Sequence, residues 1–319
     1  RKHNVIVITI NYRLGPFGWF THPSIQNLQD DIDKTSNFGT LDIIAALEWV
    51  KSNISLFNGD PENVTIFGES AGAHNVFALM ASPLAEGLFH KAISQSGYTT
   101  SDSLEDGYNK DGNNPLIDRG SWQIITALKG AGLIGDEAES LRADLKQLDA
   151  RALVGFYDKK EGLGTIPLTM RDGIVIPASG LIGALGDEEY AKNIPVMAGA
   201  TKDEVALWHG LHRYFMDTNY RFTKLLPPII TVKNQALFDL WVRTRSHAWK
   251  LRGVDQPLQA LEEAGYSDLY AYRFDWDHQK SSIFADFPNI LGAAHGTDIA
   301  FVTGDYKYGP IASYMYPEG

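Results

Sequence analysis

Ser70 lies at the centre of the segment Gly-Glu-Ser-Ala-Gly, residues 68–72, between a short β-type run and a helical pattern. A serine in such a tight strand–turn–helix junction can act as a nucleophile. The turn exposes its hydroxyl and requires small residues two positions before and after it. The following helix directs N–H groups toward negative charge. A helix-capping serine in a small-residue turn is the alternative, but the combined pattern favours a nucleophile with the N–H of Ala71 as an oxyanion donor.

The elements around this serine alternate between strand-like and helix-like patterns. Residues 4–10 form a continuous apolar run typical of a strand that is buried in a parallel sheet. Thr40 is a plausible N-cap of a helix over residues 40–54. The alternation predicts an α/β protein with a doubly wound sheet. The predicted strands are 4–10, 63–68, 90–97, 194–201 and 268–276, and the first two helices are 40–54 and 70–81.

Three long segments resemble the type-B carboxylesterase family, the cholinesterase-like branch of the α/β-hydrolases, and particularly its bacterial para-nitrobenzyl esterases. They are "VIVITINYRLGPFGW" (5–19), "NFGTLDIIAALEWVKSNISLFNGDPENVTIFGESAGA" (37–73) and "GLFHKAISQSG" (87–97). The resemblance implies an α/β-hydrolase fold, with a mostly parallel sheet in one catalytic domain over residues 1–319. Tracts at about 100–165 and 205–265 are then expected to be helical insertions over the active-site end.

The family resemblance also implies a catalytic base among the nine histidines. α/β-Hydrolases order their triad as serine, acid and histidine along the chain. The family places its histidine in a small-residue loop before a glycine, with an acidic residue shortly after, and His295, Gly296 and Asp298 match that arrangement. His278, which follows a predicted strand, is the remaining rival. The other histidines are disfavoured by chain order or by their positions on predicted helices.

The acid is expected at the end of the apolar strand 194–201, where the chain continues Lys-Asp-Glu. The family carries glutamate at the second acidic position, which corresponds to Glu204, and Asp203 is the alternative. Val205 departs from the glycine that is usual after this glutamate. Glu69, beside the nucleophile, is expected either to make a second layer of hydrogen bonds around the site or to serve as a turn residue.

The predicted function is hydrolysis of small, uncharged carboxylic esters through an acyl-enzyme, with a Ser-His-Glu triad. Two alternatives stay open: a catalytically silent or weak cholinesterase-like binding or adhesion module, and hydrolysis of amides or lactones by the same triad. Aromatic residues at 207–220 and 237–249 are expected mainly in the core, with some lining an apolar substrate gorge.

Composition disfavours two classes of partner, and the small-molecule ester substrate is implied by the family resemblance. The chain has 319 residues, 28 basic and 39 acidic, for a net charge of −11, which disfavours nucleic acids and anionic membranes. The absence of cysteine excludes disulfides and thiolate sites, and no histidine spacing suggests a metal, so no cofactor is expected. No apolar run is long enough for a membrane span. Location and oligomeric state stay open.

The oxyanion site is only partly visible in the sequence. The family completes it with a glycine-rich loop before the segment at residues 5–19, but the chain contains no Gly-Gly dipeptide. The resemblance also implies a longer C-terminal segment. The expectation is therefore a piece of a longer esterase, or else a truncated variant with Ala71 as its one firm donor.

Overall fold

The computed structural model describes residues 3–117, 120–137, 139–157, 169–220, 227–307 and 311–317. The chain divides into two compact units. The first comprises Arg1–Val64, Ala78–His90 and Thr100–Lys192, and the second comprises Thr65–Phe77, Lys91–Thr99 and Asn193–Gly319. All the predicted site residues lie in the second unit.

Helices make up most of the regular structure. In chain order they are α1 Pro23–Gln26, α2 Phe38–Asn53, α3 Ala71–Ala81, α4 Leu104–Tyr108, α5 Ser121–Gly130, α6 Leu141–Gln147, α7 Ala150–Tyr157, α8 Gly180–Leu185, α9 Ala206–His209, α10 Gln235–Lys250, α11 Gln256–Glu263, α12 Phe287–Ile290, α13 Ile299–Thr303 and α14 Ala312–Met315. A π-helical segment, Leu251–Asp255, joins α10 to α11. No helix of the described ranges is long and apolar enough to cross a membrane.

A four-stranded parallel sheet carries the site. Its strands are β1 Thr65–Glu69, β2 Lys91–Gln95, β3 Val196–Thr201 and β6 Leu269–Phe274, in the order β1-β2-β3-β6. Glu69 pairs with Gln95, and Gln95 pairs with Gly199, so the carboxyl ends of these strands meet at one edge. The four strands confirm the parallel sheet predicted from the sequence. The structure adds an antiparallel pair, β4 Met216–Asn219 and β5 Ile229–Val232, which the sequence reasoning did not predict.

The predicted strand at residues 4–10 is wrong for this structure. The segment forms no strand, and its side chains are exposed, with Val5 at 66% and Val7 at 67%. An apolar run becomes a buried parallel strand only where neighbouring strands pair with its backbone and other elements cover both faces. No strand within the described ranges pairs with this run. Composition alone therefore could not place it in the sheet.

The sequence predicted the buried face of helix α2 correctly but not the residue at which the helix begins. Its apolar residues Ile43, Leu47 and Val50 are buried on one face, as their spacing predicts. The helix begins earlier than expected, with Asn37 rather than Thr40 at the N-cap position. The side chain of Asn37 does not cap the helix, because its amide exchanges two hydrogen bonds with the backbone of Met170, at 2.7 and 2.9 Å.

Helices occur in both tracts that were predicted to be insertions. Helices α4 to α7 lie within residues 100–165, and α9 to α11 lie within 205–265. Residues 118–119, 138, 158–165 and 221–226 of these tracts lie outside the described residues. Their assignment as insertions into a single domain stays a prediction.

Candidate active site

Ser70 forms the turn between β1 and α3. Its φ angle is +58°, in the left-handed region that a side chain rarely occupies, and its N–H donates to the carbonyl of Gln95 at 2.9 Å. A Cβ at residue 68 would lie 2.5 Å from the carbonyl carbon of Gly72, so the turn needs glycine there. A Cβ at Gly72 would meet no described atom within 4 Å. The expectation that the residue two positions after Ser70 must be small is therefore wrong as far as a Cβ atom is concerned.

Ala71 is the first residue of α3, and it is exposed. The first N–H groups of a helix have no acceptor within the helix, and their dipoles favour negative charge. The N–H of Ala71 is therefore one of these unpaired helix donors, directly after Ser70, and its role as an oxyanion donor stays a prediction.

Glu204 and His295 form a buried pair at the carboxyl end of the sheet. Nδ1 of His295 lies 2.5 Å from Oε2 of Glu204, whose residue has 0% exposure. The other carboxylate oxygen accepts the N–H of Thr201 at 2.8 Å. Since 91 residues separate the pair along the chain, only the fold brings them together. A carboxylate held in this way fixes the tautomer of the imidazole and leaves Nε2 for chemistry.

The charge state of His295 reflects opposing effects. Burial lowers the pKa of its imidazole. The hydrogen bond and charge of Glu204, with the charges of Glu69 and Asp298, outweigh burial and raise the pKa above its ordinary value. The site is therefore arranged to favour a proton on this histidine.

Glu69 faces the free nitrogen of the imidazole. Its Oε1 lies 3.2 Å from Nε2 of His295, as an ion-pair contact without the alignment of a hydrogen bond. No hydrogen bond between described residues joins the hydroxyl of Ser70 to His295. Burial raises the pKa of Glu69 to about 7; the charges of Asp298 and Glu204 add to this effect, whereas that of His295 opposes it. Glu69 therefore contacts the imidazole directly, and its role at the site stays a prediction.

A third carboxylate lies in the same site, that of the buried residue Asp298. Its Oδ2 accepts hydrogen bonds from Nε2 of Gln95 at 3.0 Å and from the hydroxyl of Tyr272 at 3.3 Å. Burial, followed by the charge and hydrogen bond of Asp298, raises the pKa of Tyr272. The sequence reasoning used Asp298 as a motif residue but missed Gln95 and Tyr272. Their signal was available, because both lie on predicted strands near the carboxyl ends.

Two tryptophans contact the imidazole of His295. The ring centroids of Trp208 and Trp249 each lie 4.9 Å from that of His295, and the two indoles stack on each other at 5.5 Å. The sequence reasoning placed these aromatic tracts mainly in the core, with some members lining a substrate gorge. Trp208 is 41% exposed, so it is not a core residue.

The alternative triad residues lie elsewhere. Oδ2 of Asp203 accepts the N–H of Ala293 at 3.1 Å and lies 3.8 Å from Nζ of Lys202. The ring of His278 packs near Trp276, with 6.2 Å between the ring centroids. Within the described part of the chain, neither side chain makes a hydrogen bond, ion pair or ring contact with His295. The described residues also contain no group of three or more histidine or acidic side chains arranged to hold a metal.

A parallel sheet with a left-handed serine between strand and helix, and a histidine–carboxylate pair at the same edge, defines an α/β-hydrolase. A family model described as "Carboxylesterase family" matches residues 1–225. The chain belongs to the carboxylesterase family, as its sequence resemblance indicated.

Individual relatives agree with this assignment. The para-nitrobenzyl esterase of Bacillus subtilis (strain 168) is 31% identical over 311 residues, which are 94% of this chain and 58% of that protein. Carboxylesterase 1D of Rattus norvegicus is 36% identical over 207 residues, or 63% of this chain and 34% of that protein. A crystal structure of a Geobacillus stearothermophilus carboxylesterase superposes with a TM-score of 0.71 at 27% identity, covering 98% of this chain and 62% of that one. The chain thus spans about half the length of the curated relatives that it matches.

Proposed function

We propose that this chain hydrolyses carboxylic esters, with Ser70 as nucleophile, His295 as general base and Glu204 as the carboxylate that orients the histidine. The contact of 2.5 Å between Nδ1 of His295 and Oε2 of Glu204 carries this proposal. It occurs at the same sheet edge as the serine turn, and family membership makes ester hydrolysis the expected chemistry.

In the proposed reaction Nε2 of His295 takes the proton of the Ser70 hydroxyl as its oxygen attacks the ester carbonyl. The tetrahedral oxyanion is stabilised by the N–H of Ala71. The imidazolium then protonates the departing alcohol, and an acyl-enzyme remains. Water, activated by the same nitrogen, releases the acid. Nε2 faces Glu69 at 3.2 Å and makes no hydrogen bond to Ser70 among the described residues, so the cycle requires this nitrogen to move to the serine hydroxyl.

The proposed substrates are small, uncharged esters, and the surroundings of His295 support the absence of charge. Glu69, Glu204 and Asp298 are buried or mostly buried beside the imidazole and would repel an anionic acyl group. The exposed face of Trp208 supplies an apolar surface for the organic part of such an ester.

The direct test is covalent labelling by an organophosphonate, located by mass spectrometry, together with hydrolysis of p-nitrophenyl esters of rising chain length. We expect the label on Ser70, and we expect Ser70→Ala to abolish both labelling and hydrolysis. Ser94, a buried serine of β2, provides the matched control, and Ser94→Ala is expected to retain both. Hydrolysis that persists in Ser70→Ala contradicts the proposal. A folded chain with neither labelling nor hydrolysis indicates the silent binding module instead.

A further inference from the structure

The rings of Trp208, Trp249 and His295 form a three-ring cluster at the site. Each indole centroid lies 4.9 Å from the imidazole centroid, and the indole planes are tilted by 39° and 57° against it. The two indoles lie 5.5 Å apart with only 19° between their planes. The imidazole therefore contacts both indoles of one stacked pair.

The backbone around this cluster holds the rings in place. Nε1 of Trp249 donates to the carbonyl of Ser96 at 3.1 Å. The π-helical segment Leu251–Asp255 directly follows the helix that carries Trp249, and such segments are common at functional sites. Within it, a Cβ at residue 253 would lie 2.0 Å from the carbonyl oxygen of Gly97, so that glycine allows a close backbone approach. The end of α10 is thereby held against the loop after β2.

Trp208 is positioned from the other direction. It lies in α9, four residues after Glu204, and the N–H of His295 donates to the carbonyl of Glu204 at 3.2 Å. The same short segment therefore supplies the carboxylate for one nitrogen of the imidazole and an indole against its ring. Since Trp208 is 41% exposed, burial of the indole does not by itself explain its position.

The proposed reaction places a positive charge on the imidazole in both transition states. The carboxylates that face His295 are Glu204 at Nδ1, Glu69 at Nε2 and Asp298 nearby, and all three favour that charge. An apolar wall of aliphatic residues in place of the indoles would oppose it, since burial disfavours the charged form. An indole behaves differently, because its π-system attracts a cation that lies over the ring face within about 6 Å of the centroid. Both indole centroids lie within that distance of the imidazole, at 4.9 Å.

We propose that Trp208 and Trp249 are positioning residues that stabilise the imidazolium form of His295, so that the indole pair assists the proton transfers of ester hydrolysis. The catalytic consequence rests on the proposed function, whereas the effect on the histidine cation does not. The two effects can therefore be measured separately.

The test compares two pairs of variants in the full chain: Trp208→Leu with Trp208→Phe, and Trp249→Leu with Trp249→Phe. Both Trp249 variants lose the N–H donor, so within that pair only the aromatic ring differs. The titration midpoint of His295 is measured by NMR, with the resonance assigned from its loss in His295→Asn. The pH profile of kcat/KM for a p-nitrophenyl ester is measured in parallel.

We expect each leucine variant to lower the midpoint of His295 by roughly 0.4 to 1.5. On the alkaline plateau of the pH profile, where the imidazole is neutral before the reaction, kcat/KM should fall by roughly 2- to 30-fold. The phenylalanine variants should recover most of both effects. Trp241→Leu is the matched control, because Trp241 is 42% exposed and contacts His209 and Phe215 instead of His295. The titration midpoint of His295 in Trp241→Leu should equal that in the wild type.

An unchanged His295 midpoint in Trp208→Leu and Trp249→Leu overturns the inference, even if activity falls, because the indoles then act only as packing. A midpoint as low in the phenylalanine variants as in the leucine variants overturns it as well. If Trp249→Leu does not fold, the partly exposed Trp208 pair decides the question. If the wild-type chain has no esterase activity but the leucine variants still lower the His295 midpoint, the proposed function is refuted and the imidazolium effect is supported.

Discussion

Replacing Glu69 with glutamine should stabilise the protein at neutral and alkaline pH. The Glu69 side chain is 16% exposed, and it shares its surroundings with the carboxylates of Glu204 and Asp298. Burial, together with these charges, raises its pKa to about 7 from the ordinary value of 4.5, despite the opposing charge of His295. Glutamine keeps the shape and removes the charge. The folded state then no longer carries the unfavourable ionised form.

The sign and size of the effect follow from linkage between proton binding and folding. Below about pH 4.5 both folded and unfolded chains hold the proton, and the charge costs nothing. Between pH 4.5 and 7 the unfolded chain releases the proton first, so the wild type loses stability as pH rises, and the loss is complete above pH 7. The full difference corresponds to about 3 kcal/mol. Because the carboxylate retains some access to solvent, we expect a gain of about 1–3 kcal/mol.

The assay is urea unfolding of the wild type and Glu69→Gln at pH 5 and pH 8, monitored by circular dichroism. The variant should exceed the wild type in free energy of unfolding by about 1–3 kcal/mol at pH 8, with a much smaller difference at pH 5. Glu48→Gln, on the exposed side of α2, is the control and should change neither value by more than about 0.5 kcal/mol. Equal differences at the two pH values, or a less stable Glu69→Gln at pH 8, would refute the reasoning.

Three further predictions concern the site and its support. Gly68→Ala should lower the free energy of unfolding in denaturant titrations by about 1–3 kcal/mol and reduce labelling of Ser70, because the new Cβ would lie 2.5 Å from the carbonyl carbon of Gly72. Gly72→Ala is the matched control. Its Cβ would meet no described atom within 4 Å, so this variant should be as stable as the wild type or more stable by up to about 1 kcal/mol. Glu204→Gln should lower kcat on the order of 10³- to 10⁴-fold, and should move the acidic limb of the kcat/KM profile to lower pH, because the raised pKa of His295 depends on that carboxylate; an unmoved limb would contradict its role. Asn37→Ala should cost about 2–4 kcal/mol in urea unfolding, since two hydrogen bonds to buried backbone are lost; a loss below about 0.5 kcal/mol would show that those bonds are replaced.

Local sequence patterns predict the features that depend on neighbouring residues. The apolar runs that became β1, β2, β3 and β6 and the spacing of helix α2 were recognisable because strand and helix periodicities act over a few residues. The run at residues 4–10 has the same local character, yet it is exposed, since pairing depends on other strands. Helix α2 likewise starts at a different residue, because the side chain of Asn37 bonds distant backbone instead of capping.

The sequence by itself determined the serine turn, its neighbouring N–H and the family to which the chain belongs. It also named Glu204 and His295 as candidates, but only the tertiary structure brings these residues within 2.5 Å of each other. Tertiary structure alone decided that Glu69 faces Nε2 of His295. It also decided that Trp208 stacks on Trp249 and that both indoles contact the imidazole. Such contacts depend on strand order and helix packing, which join residues far apart in the chain and leave no periodic pattern in the sequence.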